Sequence, residues 1–300
     1  MAGKFFLSGA FALAGTGVVA AKYVAGRLGP FTIAAASLLF ALLVLLPLCA
    51  GKFRAGLGGM SRRAWIMTVL QAFFGVFLLR ALLIGGVSRT SAAEAGILTG
   101  ATPALTAFLA WAILREAVDG KILGGIVSTI LGVLLVQGLG TRISLPGGHL
   151  TGNLLVLGAA ASESAFNILS RLSAKESCGP LDPLVQTTLV TAAAFLLCLF
   201  PALGERPVAR LAAIGPIDWL TLFWYGAFVT ALAFLCWFAG IRRSGAIAAA
   251  AFSGMMPLTS MLLSTLLLGE RSCPTQWAGG LLIVAGMALI GFQKERVIKE

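Results

Sequence analysis

A chain of 300 residues with 59% hydrophobic and 11% charged side chains has too little polar surface to coat a water-soluble globule of its size. Its formal charge of +11 is scattered over short loops between apolar runs, which excludes a basic nucleic-acid-binding domain. Its five cysteines, Cys49, Cys178, Cys198, Cys236 and Cys273, form no CxxC pair, so neither a disulfide framework nor a structural zinc site is expected, and no cofactor.

Crossing ~30 Å of hydrocarbon takes about 20 helical residues. The sequence holds ten such stretches: residues 5–26, 31–50, 64–86, 90–114, 121–139, 150–172, 182–203, 216–240, 244–268 and 275–292. Transmembrane β-strands alternate apolar and polar residues, whereas residues 38–46 and 246–252 are apolar on every side. The fold class expected is therefore an all-α membrane protein. The first stretch also has the form of a signal peptide, but its removal would leave four spans facing five. With the N-terminus in the cytoplasm, Lys and Arg are about twice as frequent at the inner helix ends as at the outer ones, so both termini are expected to be cytoplasmic.

Charged groups inside a span need a reason. In the third stretch Arg80 lies about 9 Å below the outer end, and Glu94 sits about one turn into the fourth from the same side. A structural ion pair beneath the outer mouth is the preferred reading, with direct substrate contact as the alternative. Pro103 in the fourth stretch and Pro257 in the ninth are expected to kink their helices and to free the carbonyls of Thr99 and Ser253. Thr102 and Thr106 continue the first polar face, and Met256 and Ser260 the second. Such symmetry-related kinks fit a site or a hinge, or each hydroxyl simply satisfies its own kink. In the sixth stretch Glu163, Asn167 and Ser170 share one face, either lining a cavity or forming an interhelical clasp. Gln71 and Tyr225 occupy matching positions in the third and eighth stretches and are further substrate-binding candidates.

The second half repeats the first. Adding 154 to a residue number pairs Trp65 with Trp219, Gly86 with Gly240, Pro103 with Pro257, Glu116 with Glu270, Gly125 with Gly279 and Gly132 with Gly286. A duplicated unit with an odd number of spans places its second copy upside down, an arrangement typical of secondary transporters. Two inverted five-helix repeats, residues 1–145 and 146–300, are expected around a central cavity.

The segments running from Thr102-Pro103 through Arg115-Glu116 to Gly125 and Gly132, and from Met256-Pro257 through Gly269-Glu270 to Gly279 and Gly286, resemble the EamA-type repeat of the drug/metabolite transporter superfamily. The resemblance implies a ten-helix carrier with helices 1, 3, 4, 6, 8 and 9 around the cavity, most similar in type to the aromatic amino acid exporters. One departure is that residues 30–37 lack the arginine that members often carry early in the second helix.

The expectation is thus a monomeric inner-membrane (plasma-membrane) carrier that exports amino acids by alternating access. Proton-coupled drug efflux, with protons as a further partner, and a non-transporting receptor or structural protein are the alternatives. An enzyme is not expected, because the single histidine, His149, lies in a loop without a nucleophile partner, and no phosphate-binding loop is present.

Overall fold

Apolar runs opened by proline or a short polar side chain fold here as helices. Ser61 accepts from the Ala64 N–H at 3.1 Å and Asp182 from the Leu184 N–H at 2.9 Å, each satisfying a donor that a helix start leaves open. Pro183 and Pro216 occupy first turns, where a missing N–H costs nothing.

The computed structural model describes residues 2–24, 27–58, 60–87, 89, 102–115, 120–136, 150–174, 182–244, 249, 252–268 and 274–291. Among them no strand occurs. Helix α1 is Ala2–Val24 and α2 is Pro30–Gly58. Helix α3 runs from Arg62–Ala72 through a π-helical stretch, Phe73–Leu78, into Leu79–Val87. Helices α4, α5, α6 and α7 are described over Thr102–Leu114, Gly120–Val136, Leu150–Ala174 and Pro183–Leu203. After the short helix Pro207–Ala212, α8 combines Pro216–Trp224, a second π stretch Tyr225–Leu232 and Ala233–Ser244. Helices α9 and α10 are Met255–Leu268 and Pro274–Gly291. Four helical segments among the described residues are long and apolar enough to cross a membrane: Pro30–Lys52, Arg62–Gly86, Pro183–Leu203 and Pro216–Ser244.

Two sequence expectations change. Helix α2 continues past residue 50 to Gly58, so Lys52 marks where the apolar surface ends and not where the helix ends. Pro257 is the third residue of α9, after a turn at Ser253 and Gly254, and so does not kink a continuous helix. The Ser253 carbonyl expected to be freed accepts from the Met256 N–H at 3.1 Å, because the turn supplies the donor that proline lacks. Pro103 is the second described residue of α4, and the residues that would show a kink there, Thr99 among them, lie outside the described residues.

Burial follows the logic of a lipid-solvated bundle. Leu43, Trp111, Leu196, Phe200 and Leu281 are exposed on the outside, while Gln71, Thr106, Ser164, Asn167 and Thr188 are buried inside. Surrounding hydrocarbon accepts the apolar side chains, and the polar ones must find partners within the protein.

Interhelical contacts fix directions and register. Helices α2 and α7 are joined at both ends. At one end Glu205 accepts from the Phe31 and Thr32 N–H groups at 3.2 and 2.8 Å, and at the other Lys52 donates to Asp182 at 3.0 Å. Arg27 pairs with Asp218 near the Glu205 end. Helices α5 and α10 cross where glycines replace side chains. A Cβ on Gly132 would lie 2.6 Å from the Gly279 carbonyl, and one on Gly286 would lie 2.6 Å from the Gly125 carbonyl. Ser128 adds a hydrogen bond to the Leu282 carbonyl at 2.9 Å. Numbers rise on one helix as they fall on the other, so the pair is antiparallel.

Candidate functional site

The polar centre is built by α3, α4, α6 and α8. Helix α6 carries Glu163, Ser164, Phe166 and Asn167 in one turn. Small or polar groups on α4 let this turn approach closely. Ser164 donates to the Thr102 carbonyl at 3.3 Å, which sets Thr102 beside Glu163, and the Thr102 hydroxyl donates to the Glu163 carboxylate at 3.3 Å. One turn further, the Asn167 amide donates to the Thr106 hydroxyl at 3.2 Å. Glu163 is half-buried, whereas Asn167 is buried. Ser170, the next residue of the stripe, has a buried hydroxyl without a hydrogen-bond partner among the described residues.

Aromatic rings pack around Phe166, on the same turn of α6 as this acid. Phe166 stacks on Phe234 and Trp237 of α8, with centroids 5.7 and 5.6 Å apart, and Phe11 of α1 meets Trp237 edge-on at 5.4 Å. The Phe166 ring has room because residue 75 in the π stretch of α3 is glycine, whose Cβ would strike that ring. A π stretch adds a residue to a turn and rotates the helix face that follows it. Arg80 comes two residues after the first π stretch, and Tyr225 begins the second.

Those two residues meet. The Arg80 guanidinium lies over the Tyr225 ring, 4.4 Å from its centroid. It donates to the Ser37 hydroxyl of α2 at 3.0 Å and to the Thr230 hydroxyl of α8 at 3.2 Å. Among the described residues no carboxylate pairs with it. Glu94, the expected partner, and Thr99 lie outside the described residues.

Of the remaining candidates, Gln71 is fully buried and belongs to a separate polar cluster. It donates to the Leu169 carbonyl at 3.2 Å and accepts from Gln186 at 3.0 Å, while Gln186 also donates to Ser173. This ties α3, α6 and α7 together away from Glu163. Ser253 is buried, and the Met256 carbonyl rests against Gly15 of α1, where a Cβ would lie 2.6 Å away. Ser37, Thr230 and the Phe166, Phe234 and Trp237 cluster escaped sequence reasoning, whereas Thr106, expected on the polar face of α4, does meet Asn167. A serine or threonine in an apolar helix carries no signal until its facing partner is known.

The family model described as the EamA-like transporter family matches residues 1–137 and again 150–292. The chain belongs to this family. It is therefore a membrane-embedded transporter of small molecules and not an enzyme. An uncharacterized transporter of Bacillus subtilis (strain 168), YetK, is 30% identical over 294 residues, 97% of this chain and 87% of that protein. A probable amino-acid metabolite efflux pump of Salmonella typhimurium is 29% identical over 205 residues, 66% of each chain. A solved crystal structure shares the fold at a TM-score of 0.78 and 19% identity, covering 96% of this chain and 95% of the other.

Proposed function

We propose that this transporter exports amino acids, aromatic ones included, across the inner (plasma) membrane by alternating access, acting as a monomer. The observation that carries the reading is Glu163. It is a half-buried acid with one neutral hydroxyl partner, on the same helical turn as Phe166, whose ring stacks on Phe234. An acid so placed suits a substrate ammonium, and rings beside it suit an apolar or aromatic side chain. The similarity to a probable amino-acid metabolite efflux pump points the same way.

The supporting architecture in this proposal is two inverted five-helix repeats, residues 1–145 and 146–300, with ten spans and both termini in the cytoplasm. The antiparallel α5–α10 crossing favours it, since Gly125, Ser128 and Gly132 meet positions that include their own counterparts at an offset of 154. The two π stretches also occupy overlapping repeat positions, and the family model matches twice. Pro103 and the turn before Pro257 would serve as the hinges.

The second reading, proton-coupled efflux of drug-like compounds, draws on the same group. Glu163 has no cationic partner among the described residues, which suits an acid that takes up and releases a proton. Flux of a panel of labelled amino acids into proteoliposomes, with and without a pH gradient, separates the two. Amino-acid flux supports the first reading, and dependence on the gradient adds proton coupling. Movement of cationic drugs with no amino-acid flux would replace the first reading by the second.

A further inference from the structure

We propose that Arg80 is the carboxylate-recognising group of the transport site, opposite Glu163, so that the site selects zwitterions. This rests on the reading of the Glu163 stripe as the substrate passage. It replaces the role of Arg80 in a structural ion pair.

A guanidinium within an apolar bundle calls for an anion. Arg80 has none among the described residues: its bonds go to the Ser37 and Thr230 hydroxyls, which satisfy donors without neutralising charge. Those bonds use two of its five N–H groups, and the Tyr225 ring covers one face. The Nε–H and one hydrogen on each terminal nitrogen remain, and the side chain is half-buried and not sealed. Such an edge matches the two oxygens of a carboxylate. The hydroxyls and the ring hold the fork in place beforehand, which lowers the cost of ordering it around a ligand.

Register supplies the spacing. Helices α3 and α6 run antiparallel, pinned by Gln71 on Leu169, by Ser162 on the Phe74 carbonyl at 2.7 Å, and by Gly86 against Gly152 and Val156. Along that pairing Arg80 lies one to two turns from the level of Glu163, roughly 5–10 Å at 1.5 Å per residue. An α-amino acid with a hydrogen bond of about 2.9 Å at each charged end fits that depth difference. A phosphate or dicarboxylate fits poorly, because Glu163 would face its second negative charge.

The test uses the full-length protein in proteoliposomes with labelled L-phenylalanine, L-phenylalaninamide and phenethylamine. In the wild type, unlabelled phenylalanine is expected to compete at least about tenfold better than its amide, a difference of ~1.4 kcal/mol. In Arg80→Gln, phenylalanine flux is expected to fall at least about tenfold while flux of the carboxyl-free compounds changes little. Equal losses for acid and amide would reveal a merely structural arginine and overturn the proposal, as would no loss at all. The wild-type competition needs no variant to fold, and equal inhibition by acid and amide also overturns it. If the wild type moves no amino acid in a full panel, the proposed function falls as well. If amino acids move and Arg80→Gln keeps the acid-to-amide ratio, only the Arg80 assignment falls.

Discussion

The α5–α10 crossing and the polar centre of α3, α4, α6 and α8 follow different rules. At the crossing the two contributions are near copies, Gly125 with Gly279 and Gly132 with Gly286, and each fits against the other. In the centre the backbone arrangement recurs but the chemistry does not. Gly86 rests on Gly152 and Val156 of α6, as Gly240 rests on Gly3 and Leu7 of α1. Ser164 meets the Thr102 carbonyl, as Gly15 meets that of Met256. In the next contact large and small trade places: Gly75 accommodates Phe166, whereas Gly17 accommodates Val229 and Tyr225. Close packing preserves the backbone distance when a knob and a hole are exchanged, so the frame can stay regular while its lining diverges. In the function proposed here, Glu163, Asn167 and Arg80 belong to that divergent lining.

Breaking the lining should affect transport first. Glu163→Gln preserves shape but removes the charge, and substrate flux is expected to fall about 30-fold, ~2 kcal/mol, with little change in the melting temperature of the detergent-solubilised protein. Unchanged flux and unchanged pH dependence together would remove Glu163 from the site.

Breaking the frame should affect stability first. Gly286→Leu drives a side chain into the Gly125 carbonyl and Thr129 and should cost about 1–3 kcal/mol, read as a lower melting temperature. Gly124→Ala is its control, since nothing lies within 4 Å of that position, and should be nearly neutral. A smaller loss, about 1–2 kcal/mol, is expected for Gly75→Ala because its Cβ meets the Phe166 ring. Phe166→Leu in the same chain should restore part of it, measured by a double-mutant cycle.

The smallest effect belongs to the clamp between α2 and α7. Partial burial pushes the Asp182 carboxyl up, but the Lys52 ammonium and the Leu184 N–H outweigh it and hold it below the usual aspartate value. A carboxyl lowered by folding stabilises above its unfolded value and loses that stabilisation as the pH falls through its folded one. The clamp should therefore be intact at neutral pH and weaken below about pH 4. Because both groups are partly exposed, Asp182→Asn should cost at most about 0.5–1 kcal/mol at neutral pH and progressively less as the pH falls below about 4.

Glu163 and Asn167 were legible in the sequence because an acid and an amide on one face of an apolar helix are conspicuous whatever surrounds them. Thr102 was legible beside Pro103, and the structure places it on the Glu163 carboxylate. Gln71 was equally conspicuous, yet its bonds run to Leu169 and Gln186 in another cluster. Ser37 and Thr230 gave no signal at all, although together they hold Arg80. Pro257 was visible as a break, but whether it kinks a helix or begins one depends on the turn at Ser253 and Gly254.

By itself the sequence determined the helical class and the family. Apolar length and spared charge reflect each segment's own solvation in lipid, and a repeat is a property of the string. The tertiary structure decided which polar groups meet. That choice depends on the rotational phase and register of neighbouring helices, and the π stretches at Phe73–Leu78 and Tyr225–Leu232 reset the phase just before Arg80 and from Tyr225 onward.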